Sequence, residues 1–376
     1  MALNHSPQVV TNGLVYYHDM SNTQKSWKGA PTTNLYTDGD YSSQTLHPVR
    51  SGTWAFVDDP RDSTKKVLKA TPSASTQYHG RDIASVVSTL YSLQMQIYVS
   101  PDFNGTLVSM YPEQGGTGAA RYYDLTKKGT WQSLKYDGIS ASTTNIRMLA
   151  YVLSAFTTGY VLISSTGVEQ NAFATPFVNG TRSNTQAITD LVGGNTITPS
   201  SLTYNSNGTF SFNGTSDEAL INYTSSLSQF TVEIWAYPTG WSGLEPCAIA
   251  DSYPGSTSKV NYMIEMLNAS TWRAGTYQAG WYYSPTVTAT LNVWQHVVYS
   301  FDGTNQTIYL NGVSGGSTTT YSGIPGSSAV GVKLGRRWDS ANFFQGQLGV
   351  SKIYNRALSA AEILQNFNAL KGRYGL

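Results

Sequence analysis

Alternation between apolar and polar side chains is the most regular feature of this sequence. From Tyr91 to Val99 every second residue is apolar, and the residues between them are mostly polar. A period of two is typical of a β-strand that buries one face. Similar short runs, separated by turn sequences such as Asp137-Gly138, fill residues 41–178 and predict a β-sandwich.

The same pattern returns in residues 201–358. Over residues 230–237 the even-numbered positions are apolar and are expected on one face of a strand, with Glu233 and its odd-numbered neighbours on the other face. Alternation over residues 294–301 is followed by a second short run that ends in an Asn-Gly pair at 311–312, which favours a tight hairpin turn. These residues predict a second antiparallel β-sandwich.

A helix is predicted over residues 359–371. Ser359 precedes Glu362 by three positions, which is the spacing of a capping box, in which each side chain bonds the other residue's backbone N–H group. Four apolar side chains follow at helical spacing and form one stripe: Ile363, Leu364, Phe367 and Leu370. Gly372 ends the helix, which we expect to lie against the second sandwich.

The remaining segments lack a regular pattern. Residues 1–40 are irregular apart from one apolar run at 13–17, which favours a first strand followed by an extended arm. The predicted order is an arm, a sandwich, a linker and a second sandwich with its helix, at residues 1–40, 41–178, 179–200 and 201–376. The predicted fold class is all-β, with two antiparallel β-sandwich (jelly-roll) domains, an N-terminal extended arm and a short C-terminal helix.

Composition excludes several classes of function. Charged residues make up 12% of the chain, against ~25% in an average protein, and the formal net charge is +1. Bulk electrostatics therefore gives no reason to expect nucleic acid as a partner. No apolar run approaches the ~18 residues of a membrane span, and the first residues lack the features of a signal peptide, so we expect no membrane insertion and no export signal. The single cysteine, Cys247, leaves no intrachain disulfide.

Several motifs in residues 200–376 occur in the order that a known family shows. They are the segments at 208–217, 230–238, 294–298, 302–312 and 346–359. They resemble the laminin-G-like (concanavalin A-like lectin/glucanase) domain of phage and bacterial surface proteins. Residues 366–376 are similar to the end of laminin-G-containing structural proteins of marine T4-like phages (cyanophage-type), and residues 11–27 are similar to their N-terminal arms. Residues 35–178 more loosely resemble a carbohydrate-binding-module jelly roll.

The resemblance implies a structural component of a bacteriophage virion, such as a fibre of the tail or neck or a capsid decoration. Such a protein would be made in the host bacterial cytoplasm and located in the virion. Its expected partners are other virion proteins, further copies of itself with a trimer favoured, and host surface polysaccharide. The arm would anchor it to the particle through apolar and aromatic residues: Leu14, Val15, Tyr16, Tyr17 and Trp27.

Catalysis is not predicted. Glycoside hydrolysis needs two carboxyl groups that flank the scissile bond, about 5–10 Å apart. Hydrolases with the concanavalin A-like fold carry them as Glu-x-Asp-x-x-Glu on one strand, whereas Glu233 and Glu265 are each isolated in this sequence. Two alternatives to a structural virion protein stay open: a dedicated carbohydrate-binding adhesin or receptor-binding protein and, less favoured, a glycan hydrolase.

A glycan is the ligand that best matches the sequence, because sugars stack their C–H faces on aromatic rings while polar groups fix their orientation. The candidate residues are clustered aromatic and arginine side chains: Trp241, Trp272, Arg273, Tyr277, Trp281, Tyr282, Tyr283, Arg336 and Trp338. Packing in the core or at a subunit interface is the alternative role for these rings.

Calcium is the metal that the resemblance suggests, because laminin-G-like domains often hold it at the sandwich rim through Asp and carbonyl oxygens. The candidate ligands are Asp217, Asp251 and Asp339. They form no tight Asp-x-Asp cluster, so solvated turn carboxylates are the alternative. No other cofactor is predicted.

Overall fold

The computed structural model divides the chain into two compact units. Residues 30–183 form one unit, named here the N-terminal sandwich, and residues 1–29 with 184–376 form the other, the C-terminal sandwich. The residues that the structure describes are 8–22, 25–115, 118–153, 155–205, 209–224, 227–241, 243, 245–252, 260–277, 280–319, 331–337 and 341–376.

Within the described residues, the N-terminal sandwich contains two five-stranded antiparallel sheets. The strands of the first sheet are β4 (Trp54–Asp59), β5 (Asp62–Ala70), β7 (Leu90–Val99), β10 (Trp131–Ser140) and β12 (Val161–Glu169). Those of the second sheet are β3 (Val49–Ser51), β6 (Gln77–Ala84), β8 (Leu107–Gln114), β9 (Arg121–Tyr122) and β11 (Asn145–Leu153). The strand orders are β10-β7-β12-β5-β4 and β3-β6-β11-β8-β9. A separate antiparallel pair joins β2 (Thr32–Thr33) to β13 (Thr181–Arg182).

The predicted strands of this unit are present, with one difference. The apolar side chains of β7 that the alternation assigns to the core are all buried: Leu93, Met95, Ile97 and Val99. Each contributes about 1.5–3 kcal/mol to stability by leaving water. The turn predicted at residues 137–138 is instead a β-bulge, because β10 continues to Ser140 while its register with β7 shifts between Tyr136 and Ile139.

The described part of the C-terminal sandwich contains two eight-stranded sheets. The strands of the third sheet are β1 (Leu14–Asp19), β15 (Thr203–Tyr204), β16 (Phe210–Asn213), β18 (Phe230–Pro238), β24 (Gln295–Phe301), β25 (Gln306–Leu310), β26 (Val313–Thr318) and β28 (Gln345–Tyr354). Those of the fourth sheet are β14 (Ile197–Ser200), β17 (Glu218–Ile221), β19 (Cys247–Ser252), β20 (Val260–Asn268), β21 (Thr271–Tyr277), β22 (Trp281–Tyr283), β23 (Val287–Thr288) and β27 (Gly331–Leu334). The orders are β15-β16-β28-β18-β24-β25-β26, with β1 also on β28, and β14-β17-β27-β19-β20-β21-β22, with β23 on β21.

A short helix, α1 (Ala360–Leu370), covers part of the third sheet. The Ser359 side chain accepts the backbone N–H of Glu362 and the Glu362 side chain accepts that of Ser359, so the predicted capping box is confirmed. Leu370 packs in one apolar cluster with Trp235 of the sheet. None of the helices in the described part of the chain is long and apolar enough to cross a membrane.

Residues near the start of the chain form part of the same sheet. β1 pairs with β28, from Leu14 opposite Tyr354 to Asp19 opposite Val350. The arm predicted over residues 1–40 therefore differs from the structure, since β1 adds a strand to the C-terminal sandwich and residues 30–40 belong to the N-terminal sandwich. The physical reason is that β1 satisfies its backbone hydrogen bonds and buries its side chains on the last strand.

Both faces of β18 are buried as a result. The Trp235 ring stacks on the Tyr374 ring with centroids 4.4 Å apart. Glu233 is fully buried and accepts hydrogen bonds from Lys352 Nζ at 2.8 Å and Asn366 Nδ2 at 2.5 Å. Residues remote in sequence therefore cover the face of β18 that carries Glu233, as well as the face that the even-numbered residues bury.

The segment predicted as a linker, residues 179–200, contains strands of both units. β13 pairs with β2 in the N-terminal sandwich, and β14 pairs with β17 in the C-terminal sandwich.

The predicted hairpin turn is confirmed, with Asn311 and Gly312 in the left-handed region at φ 50° and 80°. The all-β fold class, with antiparallel sheets and a short C-terminal helix, is also confirmed.

Candidate functional site

Strand register assigns the candidate side chains to two faces of the fourth sheet. Directly opposed residues of antiparallel strands share a face, and Glu265 lies opposite Arg273 while Tyr277 lies opposite Trp281. Alternate residues of one strand also share a face. Trp272 points the other way, toward the third sheet, where its Nε1 donates to Gln295 Oε1 at 3.0 Å. The face that carries Arg273 is therefore the outer face of the fourth sheet.

Three rings form a strip on this outer face, named here the aromatic strip: Tyr277, Trp281 and Tyr283. The Tyr277 and Trp281 ring centroids are 5.1 Å apart. The Trp281 and Tyr283 rings are nearly parallel, with centroids 5.6 Å apart and 8° between their planes. All three are partly buried, because one side of each packs on a small apolar cluster: Cys247, Ala250, Val260 and Met263. The strip is thus held in place and still reaches the surface.

Gly275 makes room for one of these rings. A Cβ atom at this position would lie 2.8 Å from Tyr283 Cδ1 and 3.0 Å from the Tyr282 carbonyl oxygen. A glycine inside a strand often marks such a close approach. Any larger residue would displace the Tyr283 ring from the strip.

Arg273 is fixed beside the strip. Its Nε donates to Glu265 Oε1 at 2.6 Å and its Nη2 donates to Glu245 Oε1 at 2.7 Å. The guanidinium carbon lies 3.9 Å from the Tyr283 ring centroid, which adds a cation–π contact. Arg337 Nη1 donates to Glu245 Oε2 at 3.3 Å. These contacts hold planar donors and acceptors in one orientation before any ligand arrives.

Glu265 is fully buried, and its Oε2 atom has no hydrogen-bond partner among the described residues. Burial raises the pKa of Glu265 to about 7, and the Arg273 charge opposes part of that increase. A carboxyl group near its pKa at neutral pH can accept or donate a hydrogen bond. Because the carboxyl group is buried, Glu265 acts on the site by holding Arg273 rather than by contacting a ligand.

A small pocket adjoins this network through Glu245 and Arg337. Its volume is about 380 Å³, and Trp241, Gly243, Leu267 and Asn342 complete its lining. The Trp241 side chain is exposed. Indole, guanidinium, carboxylate and amide groups therefore meet around one small pocket at the edge of the site.

Three of the residues predicted to bind a ligand lie away from the outer-face cluster. Trp272 is fully buried and belongs to the core, because its strand position faces the third sheet. Tyr282 lies opposite Thr276, on the other face from Trp281. Arg336 donates to Glu218 at 2.8 Å in a separate ionic cluster. Trp338 lies outside the described residues.

The candidate calcium ligands are not brought together. Asp217 accepts the Asn213 backbone N–H at 2.9 Å just before β17, and Asp251 accepts the Asn261 backbone N–H at 3.2 Å within β19. Among the residues that the structure describes, no group of three His, Cys, Asp or Glu side chains could hold a metal ion. Asp339 lies outside these residues, and calcium binding stays a prediction.

The candidate anchoring residues are parts of the C-terminal sandwich. β1 contains Leu14, Val15, Tyr16 and Tyr17, and Tyr16 is fully buried. Trp27 is buried as well, with its ring edge-on to Phe210 at 6.5 Å between centroids. Their side chains therefore have a structural role within this unit, and an anchoring role stays a prediction.

Comparison with known protein families finds a match within the C-terminal sandwich. Residues 213–364 match the laminin-G-type family model described as the concanavalin A-like lectin/glucanases superfamily. The predicted laminin-G-like domain is therefore confirmed for this part of the chain. No curated protein sequence matches the chain.

Solved structures show only weak similarity. The receptor-binding domain of botulinum neurotoxin type G is 16% identical, with a TM-score of 0.40 over 48% of this chain and 48% of that one. Domain 4 of the extracellular arabinanase AbnA from Geobacillus stearothermophilus, solved with arabinotriose, is 20% identical, with a TM-score of 0.38 over 47% and 91%. A pentraxin from Limulus polyphemus is 17% identical, with a TM-score of 0.34 over 42% and 79%. The chain thus spans about half the length of the neurotoxin chain, and similarities at this level carry no functional argument.

Proposed function

We propose that this chain is a carbohydrate-binding protein whose C-terminal sandwich binds a glycan on the outer face of the fourth sheet. The observation that carries the proposal is the juxtaposition of the parallel Trp281 and Tyr283 rings with Arg273, which Glu265 and Glu245 hold beside them. Aromatic rings bind the C–H faces of sugars, and fixed charged groups bind their hydroxyls.

Preorganisation favours binding at this site. Arg273 is already held by Glu265 and Glu245, so ordering it costs little when a ligand arrives. The guanidinium presents planar donors, and the Glu245 carboxylate, whose side chain is 37% exposed, presents acceptor oxygens beside them. A neutral sugar with adjacent hydroxyl groups matches this combination better than an apolar ligand does.

A glycan array with the full chain, followed by calorimetry with the best ligand, tests the site. Trp281→Ala is expected to weaken binding by about tenfold, because the stacking contact of one ring is worth ~1 kcal/mol or more. Leu364→Ala, which truncates an exposed side chain on α1, is the matched control and is expected to bind as the wild type does. Unchanged affinity in a folded Trp281→Ala protein would place the glycan elsewhere.

The same proposal includes a place for the protein in a bacteriophage particle, as a fibre of the tail or neck or as a capsid decoration. This rests on the similarity of residues 366–376 and 11–27 to laminin-G-containing phage proteins. The expected partners follow from the same similarity: other virion proteins, further copies of this chain with a trimer favoured, and host surface polysaccharide. Mass spectrometry of purified particles and electron microscopy with an antibody to this chain test it, and absence of the chain from particles would contradict it.

The absence of enzymatic activity also stays a prediction. Glu245 and Glu265 are two carboxyl groups near the aromatic strip, but Arg273 binds both of them. A bound guanidinium keeps each carboxyl from serving freely as nucleophile or general acid. Incubation of the protein with each polysaccharide that it binds is expected to release no reducing ends, and release that Glu265→Gln abolishes would establish hydrolysis.

A further inference from the structure

A lysine, a glutamate and an asparagine meet beneath α1 in the C-terminal sandwich. Lys352 of β28 lies directly opposite Glu233 of β18, and Asn366 comes from α1. Glu233 Oε2 accepts a hydrogen bond from Lys352 Nζ at 2.8 Å, and Glu233 Oε1 accepts one from Asn366 Nδ2 at 2.5 Å. Because the two nitrogens bind the two oxygens of one carboxylate, the amine and the carboxamide are neighbours.

The Asn366 carboxamide is held in one orientation. Its Oδ1 accepts the backbone N–H of Val10 at 2.7 Å, and its Nδ2 also donates to Tyr354 Oη at 2.9 Å. The Val10 N–H thus polarises the carbonyl group and lies where negative charge would develop if a nucleophile added to the amide carbon Cγ. Glu233 contacts the amide nitrogen, which would be the leaving group.

The three polar side chains are closed off from water. Glu233, Lys352 and Asn366 are all fully buried, and a fully buried lysine is rare in proteins. The groups that contact Asn366 belong to an apolar cluster: Val10, Val298, Tyr309, Tyr354, Leu358 and Ile363. Burial disfavours charged groups, so it narrows the free-energy gap between the ion pair and its neutral form, an amine beside a carboxylic acid. A neutral lysine amine is a nucleophile.

We propose that Lys352 and Asn366 form an intramolecular isopeptide bond, with Glu233 as the catalytic residue. Glu233 takes a proton from the Lys352 ammonium, and the neutral Nζ adds to Cγ of Asn366. Glu233 then gives that proton to Nδ2 and takes a second proton from Nζ, so the bond between Cγ and Nδ2 breaks and ammonia leaves. One C–N bond forms and one breaks, and nothing is oxidised or reduced.

The products suit a buried site. Glu233 ends as a neutral carboxylic acid beside a neutral amide, so no charge is left uncompensated. Groups held in such contact react as if at effective concentrations of about 10⁵–10⁸ M, which offsets the low reactivity of a carboxamide. Exclusion of water protects the new bond from hydrolysis. The ion pair is a property of the unreacted chain, and the reaction replaces it with a covalent link between β28 and α1.

Mass spectrometry of the intact full-length chain, incubated at neutral pH, tests the bond. A reacted chain is lighter than its sequence by about 17 Da, the mass of ammonia. An Asn-Gly pair that cyclises to a succinimide loses the same mass, so tryptic digestion must locate the change. In the reacted chain we expect no cleavage after Lys352, and the peptide that contains Lys352 is joined to the peptide that contains Asn366.

Variants assign the roles. Lys352→Met, which removes the nucleophile, is expected to form no joined peptide. Glu233→Gln is expected to react at least about 100-fold more slowly, the contribution typical of general acid–base catalysis. Asn368→Ala changes another asparagine of α1 and is the matched control, which should react as the wild type does.

The wild-type measurement needs no variant, so the proposal stays testable if a substituted chain fails to fold. A folded wild type that keeps its full sequence mass and is cleaved after Lys352, even after days of incubation, would overturn the proposal. A succinimide in place of the joined peptide would overturn it as well. Equal rates in the wild type and a folded Glu233→Gln protein would overturn the role of Glu233 as catalytic residue.

Discussion

Arg373 binds Asp19, with Nη1 2.8 Å from Oδ1 and 2.6 Å from Oδ2 of the carboxylate. Asp19 is the last residue of β1 and is buried, whereas the Arg373 side chain is 39% exposed. The pair joins residues 354 positions apart, and it fastens β1 and the turn after α1 to one sheet. Residues from both ends of the described chain therefore hold together the elements that pack on the third sheet.

Removal of this ion pair should lower the stability of the C-terminal sandwich. Arg373→Ala is expected to lower the free energy of unfolding by about 1–2 kcal/mol, because it leaves a buried carboxylate with fewer partners. Tyr17 still donates to Asp19, which limits the loss. Urea denaturation measures the effect, with Lys25→Ala as a control that also removes a cation. Equal losses in the two variants would show that the pair adds nothing specific.

Glu233 and Lys352 form a buried ion pair beneath α1. Both side chains are fully buried, with Lys352 Nζ 2.8 Å from Glu233 Oε2. Glu233→Gln is expected to cost about 3–5 kcal/mol of unfolding free energy, because it leaves the ammonium of Lys352 uncompensated. Combining it with Lys352→Met should restore most of that loss. A double-mutant cycle measures the coupling, and additive losses would contradict it.

The same pair predicts sensitivity to acid. Burial alone would raise the pKa of Glu233, but the Lys352 charge and the nearby His296 ring, whose Nε2 lies 3.5 Å from Glu233 Oε2, outweigh it and lower the pKa to about 2. A folded-state pKa below the ordinary value of 4.5 means that the stabilisation is present above about pH 4.5 and is lost as the pH falls toward 2. Acid titration should unfold the wild type more steeply over that window than the Glu233→Gln, Lys352→Met protein, and parallel curves would argue against the pair as the cause.

Local patterns explain why much of the fold could be predicted. The alternation that ends at Val99 and the cap at Ser359 depend on neighbours within a few residues, and both are present in the structure. The environment of Glu233 depends on Lys352 and Asn366, more than a hundred positions away. No local pattern reports such contacts, so the burial of this second face of β18 could not be predicted from the sequence.

The candidate site, too, can be predicted only in part from the sequence. The sequence identifies Arg273 and Trp281 by residue type and clustering, but it does not reveal Glu265 as their neighbour. Glu265 lies eight positions from Arg273, and only the register of β20 with β21 sets the two side by side. The bulges in that register cannot be predicted from the sequence, and neither can the approach of Arg61 to the Trp131 ring.

Glu265 should make the protein less stable as the pH rises, whereas a carboxyl group with a lowered pKa has the opposite effect. Its pKa in the folded protein, about 7, lies above the ordinary value of 4.5, so the folded state holds the proton more tightly than the unfolded state does. The stabilisation is present below about pH 4.5 and is lost as the pH rises through 7. We expect the wild type to lose about 2–3 kcal/mol between about pH 5 and pH 8, and Glu265→Gln to lose much less. Urea midpoints at the two pH values measure this, and identical slopes would contradict it.

Trp272 and Trp281 provide the sharpest comparison, because two tryptophans nine positions apart are assigned opposite roles. Trp272→Phe removes a buried hydrogen bond to Gln295 and some packing, so it should cost about 1–3 kcal/mol of stability and leave glycan affinity unchanged. Trp281→Ala should change stability by less than about 1.5 kcal/mol, because its ring is partly exposed, while weakening glycan binding by about tenfold. Denaturation and calorimetry on the same preparations give both quantities. If a folded Trp272→Phe protein lost affinity as Trp281→Ala does, the assignment of these rings to opposite faces would be wrong.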